Sequence, residues 1–85
     1  MKIKYTTSVF TAAGWRSVSI VATADQVSPG MAKVIAVTEI DGREPVGYTS
    51  RTGAKRQQYH ASGVAAREVG AKKRISSCEI LEVSA

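Results

Sequence analysis

The chain is poor in the side chains on which small proteins most often build chemistry. It has one cysteine, Cys78, and one histidine, His60, in 85 residues. A single cysteine excludes an internal disulfide and any zinc site built on cysteine pairs, and a single histidine excludes a histidine-rich metal site. Aromatic residues number five: Tyr5, Phe10, Trp15, Tyr48 and Tyr59. A core must therefore come from Val, Ile and Ala, which suits a sheet packed tightly against a helix. No apolar run approaches the roughly 18–20 residues of a membrane span. The opening residues Met1-Lys2-Ile3-Lys4-Tyr5 are not followed by an apolar stretch of signal-peptide length. The expectation is one domain, residues 1–85, soluble and cytoplasmic.

Acidic residues are few and scattered, and no two have a spacing that implies acid–base catalysis or a metal site. His60 has no serine or cysteine that the sequence can pair with it as a nucleophile. Cys78 falls in an alternating run with Ile80, which makes a core thiol the simplest reading. These residues suggest a protein that binds rather than catalyses, with no cofactor or metal.

Charge is distributed unevenly. Within residues 51–74, Arg51, Lys55, Arg56, Arg67, Lys72, Lys73 and Arg74 oppose one acid, Glu68, for a net of +6. The other sixty-one residues carry five cations and six acids, a net of −1. A neutral body with one basic segment is suited to an anionic partner.

The first half of the chain alternates with period two. Ile3, Tyr5, Thr7 and Val9 fall on one face and Lys2, Lys4, Thr6 and Ser8 on the other. Val18, Ile20 and Ala22 alternate in the same way with Ser17, Ser19 and Thr23. With Thr11-Ala12-Ala13-Gly14 between them, the two runs read as a β-hairpin. Residues 25–30, ending in Pro29-Gly30, read as a loop. Residues 31–40, rich in β-branched side chains, read as a central strand. Asp41-Gly42 marks a further turn within a loop reaching Pro45, and residues 46–51 read as a short fourth strand.

The spacing then changes. Over residues 52–69, Ala54, Ala61, Ala65 and Val69 follow helical periodicity, with Val64 at the margin. Thr52 is a candidate N-cap and Gly70 a candidate stop, while Gly63 weakens the middle and marks a potential break. Residues 75–83 alternate again and read as a last strand. The order β-β-β-β-α-β defines an α+β fold: an antiparallel sheet of four or five strands with one helix packed on one face.

A helix over residues 52–69 would align Arg56, His60, Gly63 and Arg67 as an outward stripe, flanked by Lys55 and Tyr59. Lys72, Lys73 and Arg74 would follow at its C-terminus, where cations complement the dipole. Lys55 and Arg56 would stand in its first turn, where cations are disfavoured unless an anion docks there. Thr49, Ser50, Thr52 and Gly53 add hydroxyls and close backbone approach, although the glycine spacing is not that of a phosphate-binding loop. Trp15, beside a turn, reads as a lid on the core. Tyr5, Phe10 and Trp15 together read alternatively as marks of an open sheet face, because one helix covers only one side. That open side should be mainly polar, or serve to pair two copies of the chain as a homodimer.

Two functional classes follow. In the first, the protein is a nucleic-acid-binding module of low sequence specificity, DNA or RNA. Arg51, Lys55, Arg56, His60, Arg67, Lys72, Lys73 and Arg74 then contact phosphates, with Tyr59 the stacking residue nearby. In the second, it is a small inhibitor or adaptor of the kind phages and mobile elements encode. The same arginines would then meet an acidic protein surface or a nucleoprotein complex, as an anti-defence or anti-CRISPR-like protein would. The element order matches neither the RNA-recognition module nor the double-stranded-RNA-binding module.

Overall fold

Alternation of side chains along the first forty residues builds most of the molecule. The computed structural model describes residues 1–46 and 55–83, with the backbone alone at residue 55. Strand β1, Lys2–Thr11, pairs with β2, Gly14–Ser28, in an antiparallel hairpin whose register runs from Thr11↔Gly14 to Lys2↔Thr23. Strand β3, Met31–Ile40, pairs with the second half of β2. β2 is thus longer than the expected strand and takes in residues 25–28, leaving Pro29-Gly30 as the turn. Pro29 fixes φ at the first central position of that turn, and Gly30, at φ 77°, supplies the positive φ that the second requires.

Two short strands complete the sheet. β4, Lys72–Arg74, lies against β3, and β5, Glu79–Glu82, lies against β1, giving the antiparallel order β4-β3-β2-β1-β5. The fold class is the α+β arrangement expected, five strands with one helix. Several elements sit differently from their sequence reading. Lys72, Lys73 and Arg74 are not a helix-terminal cluster but an edge strand, because Gly70 and Ala71 already hydrogen-bond to Val34 and feed the chain into register with β3. The last strand is shorter than expected, since Ile75–Ser77 forms a 3-10 turn that carries the chain from one edge of the sheet towards the other. Val46 lies in a bend, and the rest of the strand expected at residues 46–51 lies outside the described residues. So do Ala54 and the proposed cap Thr52.

The helix α1 spans only Ala61–Glu68. Before it comes a 3-10 turn, Lys55–Gln57, and then Tyr59 and His60 in non-helical backbone, His60 acting as N-cap at φ −87°, ψ 113°. A continuous helix over residues 52–69 would have turned Tyr59 outward. Instead its ring is buried at 6% exposure. In a chain with five aromatics, burying one is worth about 1.5–3 kcal/mol, more than a few residues of helix propensity contribute. The helix ends where expected, with Gly70 at φ 89° just beyond the C-cap Val69.

Ala61, Val64 and Glu68, at i, i+3 and i+7, form the buried stripe of α1, while Val69 is exposed. They face Ile3, Tyr5 and Val9 of β1, Val18, Ile20, Ala22 and Ala24 of β2, and Ala32, Val34 and Ile40 of β3, all in one core. Ala22, Ala24, Ala32 and Ala61 are fully buried, and their small volume lets helix and sheet approach closely.

Ala61→Leu should therefore destabilise the fold by about 1–3 kcal/mol through overpacking. Gly63 is different. A Cβ there would meet only the Cβ of His60, at an ordinary 3.9 Å. Gly63→Ala should stabilise by up to about 1 kcal/mol. Urea denaturation of both variants checks the pair, and equal midpoints for Ala61→Leu and wild type would contradict the packing.

Candidate nucleic-acid interface

The basic segment does not form the single helical stripe its spacing suggests. Arg56 belongs to the 3-10 turn and His60 to the cap, so of that column only Gly63 and Arg67 are on α1, and Arg67 is its one cation there. Lys55 and Arg56 accordingly do not stand at the N-terminus of a long helix. Arg51 and the hydroxyl-rich loop of Thr49, Ser50, Thr52 and Gly53 lie outside the described residues.

Glu68 decides what happens to two of the remaining cations. It is buried at 5% exposure and sits in the last turn of α1, where an acid opposes the helix dipole. The Tyr5 hydroxyl donates to its Oε1 at 2.8 Å, and Lys73 Nζ lies 3.3 Å from the same oxygen. Arg67 Nε reaches Oε2 at 3.4 Å and also donates through Nη2 to the Ser8 carbonyl at 3.1 Å. Lys73 Nζ further stands 4.7 Å from the Tyr5 ring centroid. Arg67 and Lys73, both expected to meet a ligand, thus serve first to neutralise a buried carboxylate and tie α1 to β1 and β4.

A second cluster holds the 3-10 turn. The Tyr59 hydroxyl donates to Asp41 Oδ2 at 2.6 Å, Asp41 Oδ1 accepts from the Ser19 amide at 2.9 Å, and Arg16 lies 3.5 Å from Asp41. The Arg16 guanidinium covers the Tyr59 ring at 5.0 Å and donates to the Gln57 carbonyl at 3.1 Å. Tyr59 is therefore not an outward stacking residue but part of the packing. Arg16, read as one of the neutral body's scattered cations, is what clamps it. The αL backbone of Asp41 in the Ile40–Arg43 turn aims its carboxylate at both partners.

The exposed cations collect elsewhere. The β3–β4 register sets Lys33 directly opposite Lys72, and Arg74 two residues further along beside Met31. Lys73 turns to the helix side, so Lys33, Lys72 and Arg74 share the sheet face that α1 leaves open. Like charges directly opposite each other are destabilising. Asp25 stands across from Lys33 on β2, yet among the described residues none of the three cations forms an ion pair. Arg56 is likewise exposed, next to the β1–β2 hairpin, where its carbonyl accepts from the Ala13 amide at 2.7 Å.

On the same open face, at the far end of β2, Phe10 and Trp15 pair across the hairpin with ring centroids 5.2 Å apart in an edge arrangement. They are 71% and 73% exposed, so Trp15 is not a lid on the core. Of the three aromatics read as marks of the open face, Tyr5 is on the helix side and the other two are on the open one. Between the aromatic and basic ends stand Thr6, Ser8, Ser17, Ser19 and Thr23, the polar surface expected there. Cys78 is half-buried against the core with Sγ 3.3 Å from the Arg74 carbonyl, and burial pushes its thiol pKa up, away from a reactive thiolate.

Among the described residues no helix is long and apolar enough to cross a membrane, and no three His, Cys, Asp or Glu side chains converge as metal ligands. No family model, curated protein or solved structure matches the chain.

The Glu68 cluster has a signature in alkali. Burial and the Glu68 carboxylate push the Tyr5 phenol well above its ordinary value of 10.0. Below that value the phenol is protonated in folded and unfolded chains alike, and its contribution is fully present. At higher pH the unfolded chain releases the proton while the folded one holds it, so stability falls as pH rises. Tyr5→Phe loses a hydrogen bond to a carboxylate, about 1.5–3 kcal/mol near neutrality, and lacks this extra alkaline loss. The stability gap between wild type and variant, measured in urea, should narrow between about pH 10 and 12. A constant gap would contradict the buried phenol–carboxylate bond.

Proposed function

We propose that the chain is a non-enzymatic binding module that holds nucleic-acid phosphates, with little sequence specificity, on the sheet face opposite its helix. One observation supports this above the others: Lys33 opposite Lys72, with Arg74 beside them, exposed and without ion pairs among the described residues. Charged residues on an edge strand discourage sheets from pairing edge to edge, and Lys72 or Arg74 alone would do that. Lys33 against Lys72 is unfavourable, and since Asp25 across from Lys33 makes no ion pair with it, a bound anion would offset the repulsion. The same chain shows the contrasting arrangement at its other edge, where Lys2 stands opposite Glu82 and Lys4 opposite Glu79. Polyanion binding needs little more than such a cluster, since phosphate contacts position a duplex or strand without reading its sequence.

Binding of fluorescent DNA and RNA, followed by anisotropy across salt concentrations, tests the reading. Affinity should fall linearly on a log–log plot as salt rises. Lys33→Ala, Lys72→Ala and Arg74→Ala should each weaken binding to all sequences and make the slope shallower by about one. Arg43→Ala, outside the cluster, should leave both unchanged. Micromolar protein that binds no DNA or RNA at low salt would overturn the reading. It would favour instead a small inhibitor or adaptor whose cations meet an acidic protein.

A further inference from the structure

Resting on that reading, we infer that the nucleic acid is single-stranded and lies along β2, with unstacked bases on the Phe10–Trp15 pair and phosphates at Lys33, Lys72 and Arg74. The two ends of this surface are on one face because β2 keeps an unbroken register with β1 from Trp15 to Thr23, two residues before Asp25, which stands across from Lys33. Ten residues of strand separate them, about 33 Å at 3.3 Å per residue, within a molecule 41 Å long. Single-strand-binding domains of comparable reach occupy roughly 4–16 nucleotides.

Two exposed aromatics at a hairpin end are more than the hairpin needs, because a β-branched pair would close it as well. Phe10 and Trp15 are 71% and 73% exposed, which leaves ring surface for stacking a base. In a duplex the bases are already stacked and their faces are hidden, so this pair can contribute only to a strand whose bases are open. Charge complementarity fixes the class of occupant: a purely apolar partner would leave Lys33, Lys72 and Arg74 desolvated and unpaired. Arg56, exposed beside the tip of the same hairpin, adds positive charge near the aromatic end.

Trp15 is the only tryptophan, so intrinsic indole fluorescence reports this site alone. Oligothymidylates of four, eight, twelve and sixteen nucleotides, and a hairpin duplex of matched charge, are titrated into the full chain at low salt. The single strands should quench Trp15 with saturation, the duplex should not, and affinity should rise with length until the strand spans the face. Trp15→Ala should weaken single-strand binding about 5- to 100-fold and leave duplex binding unchanged, whereas Lys72→Ala should weaken both. Binding seen by anisotropy with no change in Trp15 emission, or equal affinity for duplex and strand, would overturn this inference while leaving the phosphate reading intact. Absence of binding to every probe would remove both. A dimer in light scattering that Trp15→Ala converts to monomer would assign the aromatic pair to a second copy of the chain, and would also overturn the inference. The wild-type quenching experiment stands without any variant having to fold.

Discussion

Glu68 is the residue on which the arrangement of the molecule depends. A carboxylate buried in the last turn of a helix is tolerable only if its charge is met and its oxygens are bonded. Tyr5 from β1, Lys73 from β4 and Arg67 from α1 meet both needs. The result is a junction that ties β1, early in the chain, to α1 and the neighbouring strand β4. It holds an eight-residue helix, too short to be stable alone, at a fixed place on the sheet. It also sorts the basic segment, taking Arg67 and Lys73 into the structure.

The same junction sets the orientation of the edge strand. With Lys73 drawn toward Glu68, the alternation of β4 sends Lys72 and Arg74 to the opposite face. The structural use of one lysine thus exposes its two neighbours beside Lys33. Asp41 plays the corresponding part at the other end, holding Tyr59 and Arg16 on the helix side so that the 3-10 turn packs against the hairpin. The open face then carries an aromatic pair at one end and a cluster of cations at the other, with hydroxyls between them and Val21, Asp25 and Glu39 also on that side. Aromatics and cations are the components that single-strand recognition combines.

Much of this was legible in the residues, and the exceptions have physical reasons. Period-two alternation marks the first two strands and β-branched content the third, and Pro29-Gly30, Asp41-Gly42 and Gly70 mark turns and the helix end, because these depend on local sterics. The helix was over-extended because its spacing can be counted along the chain, whereas the competing burial of Tyr59 depends on Asp41 and Arg16, which the chain brings near only on folding. The basic cluster Lys72-Lys73-Arg74 looked like one surface. A strand divides such a run between two faces, and nothing within three residues says that Gly70 and Ala71 will pair with Val34. In the sequence Glu68 stands out only as the single acid of a basic segment. Its spacing from Ala61 and Val64, i+7 and i+4, was the available sign that it belonged to the buried stripe.

Amide chemical-shift mapping by NMR tests most directly whether the face opposite α1 is the binding surface. An isotopically labelled chain titrated with an octathymidylate should show perturbations at Phe10, Trp15 and Ser17 and at Lys33, Lys72 and Arg74. The amides of Ala61, Val64 and Ala65 should stay in place. Perturbations concentrated on α1 and around His60, with the open face unmoved, would contradict the account.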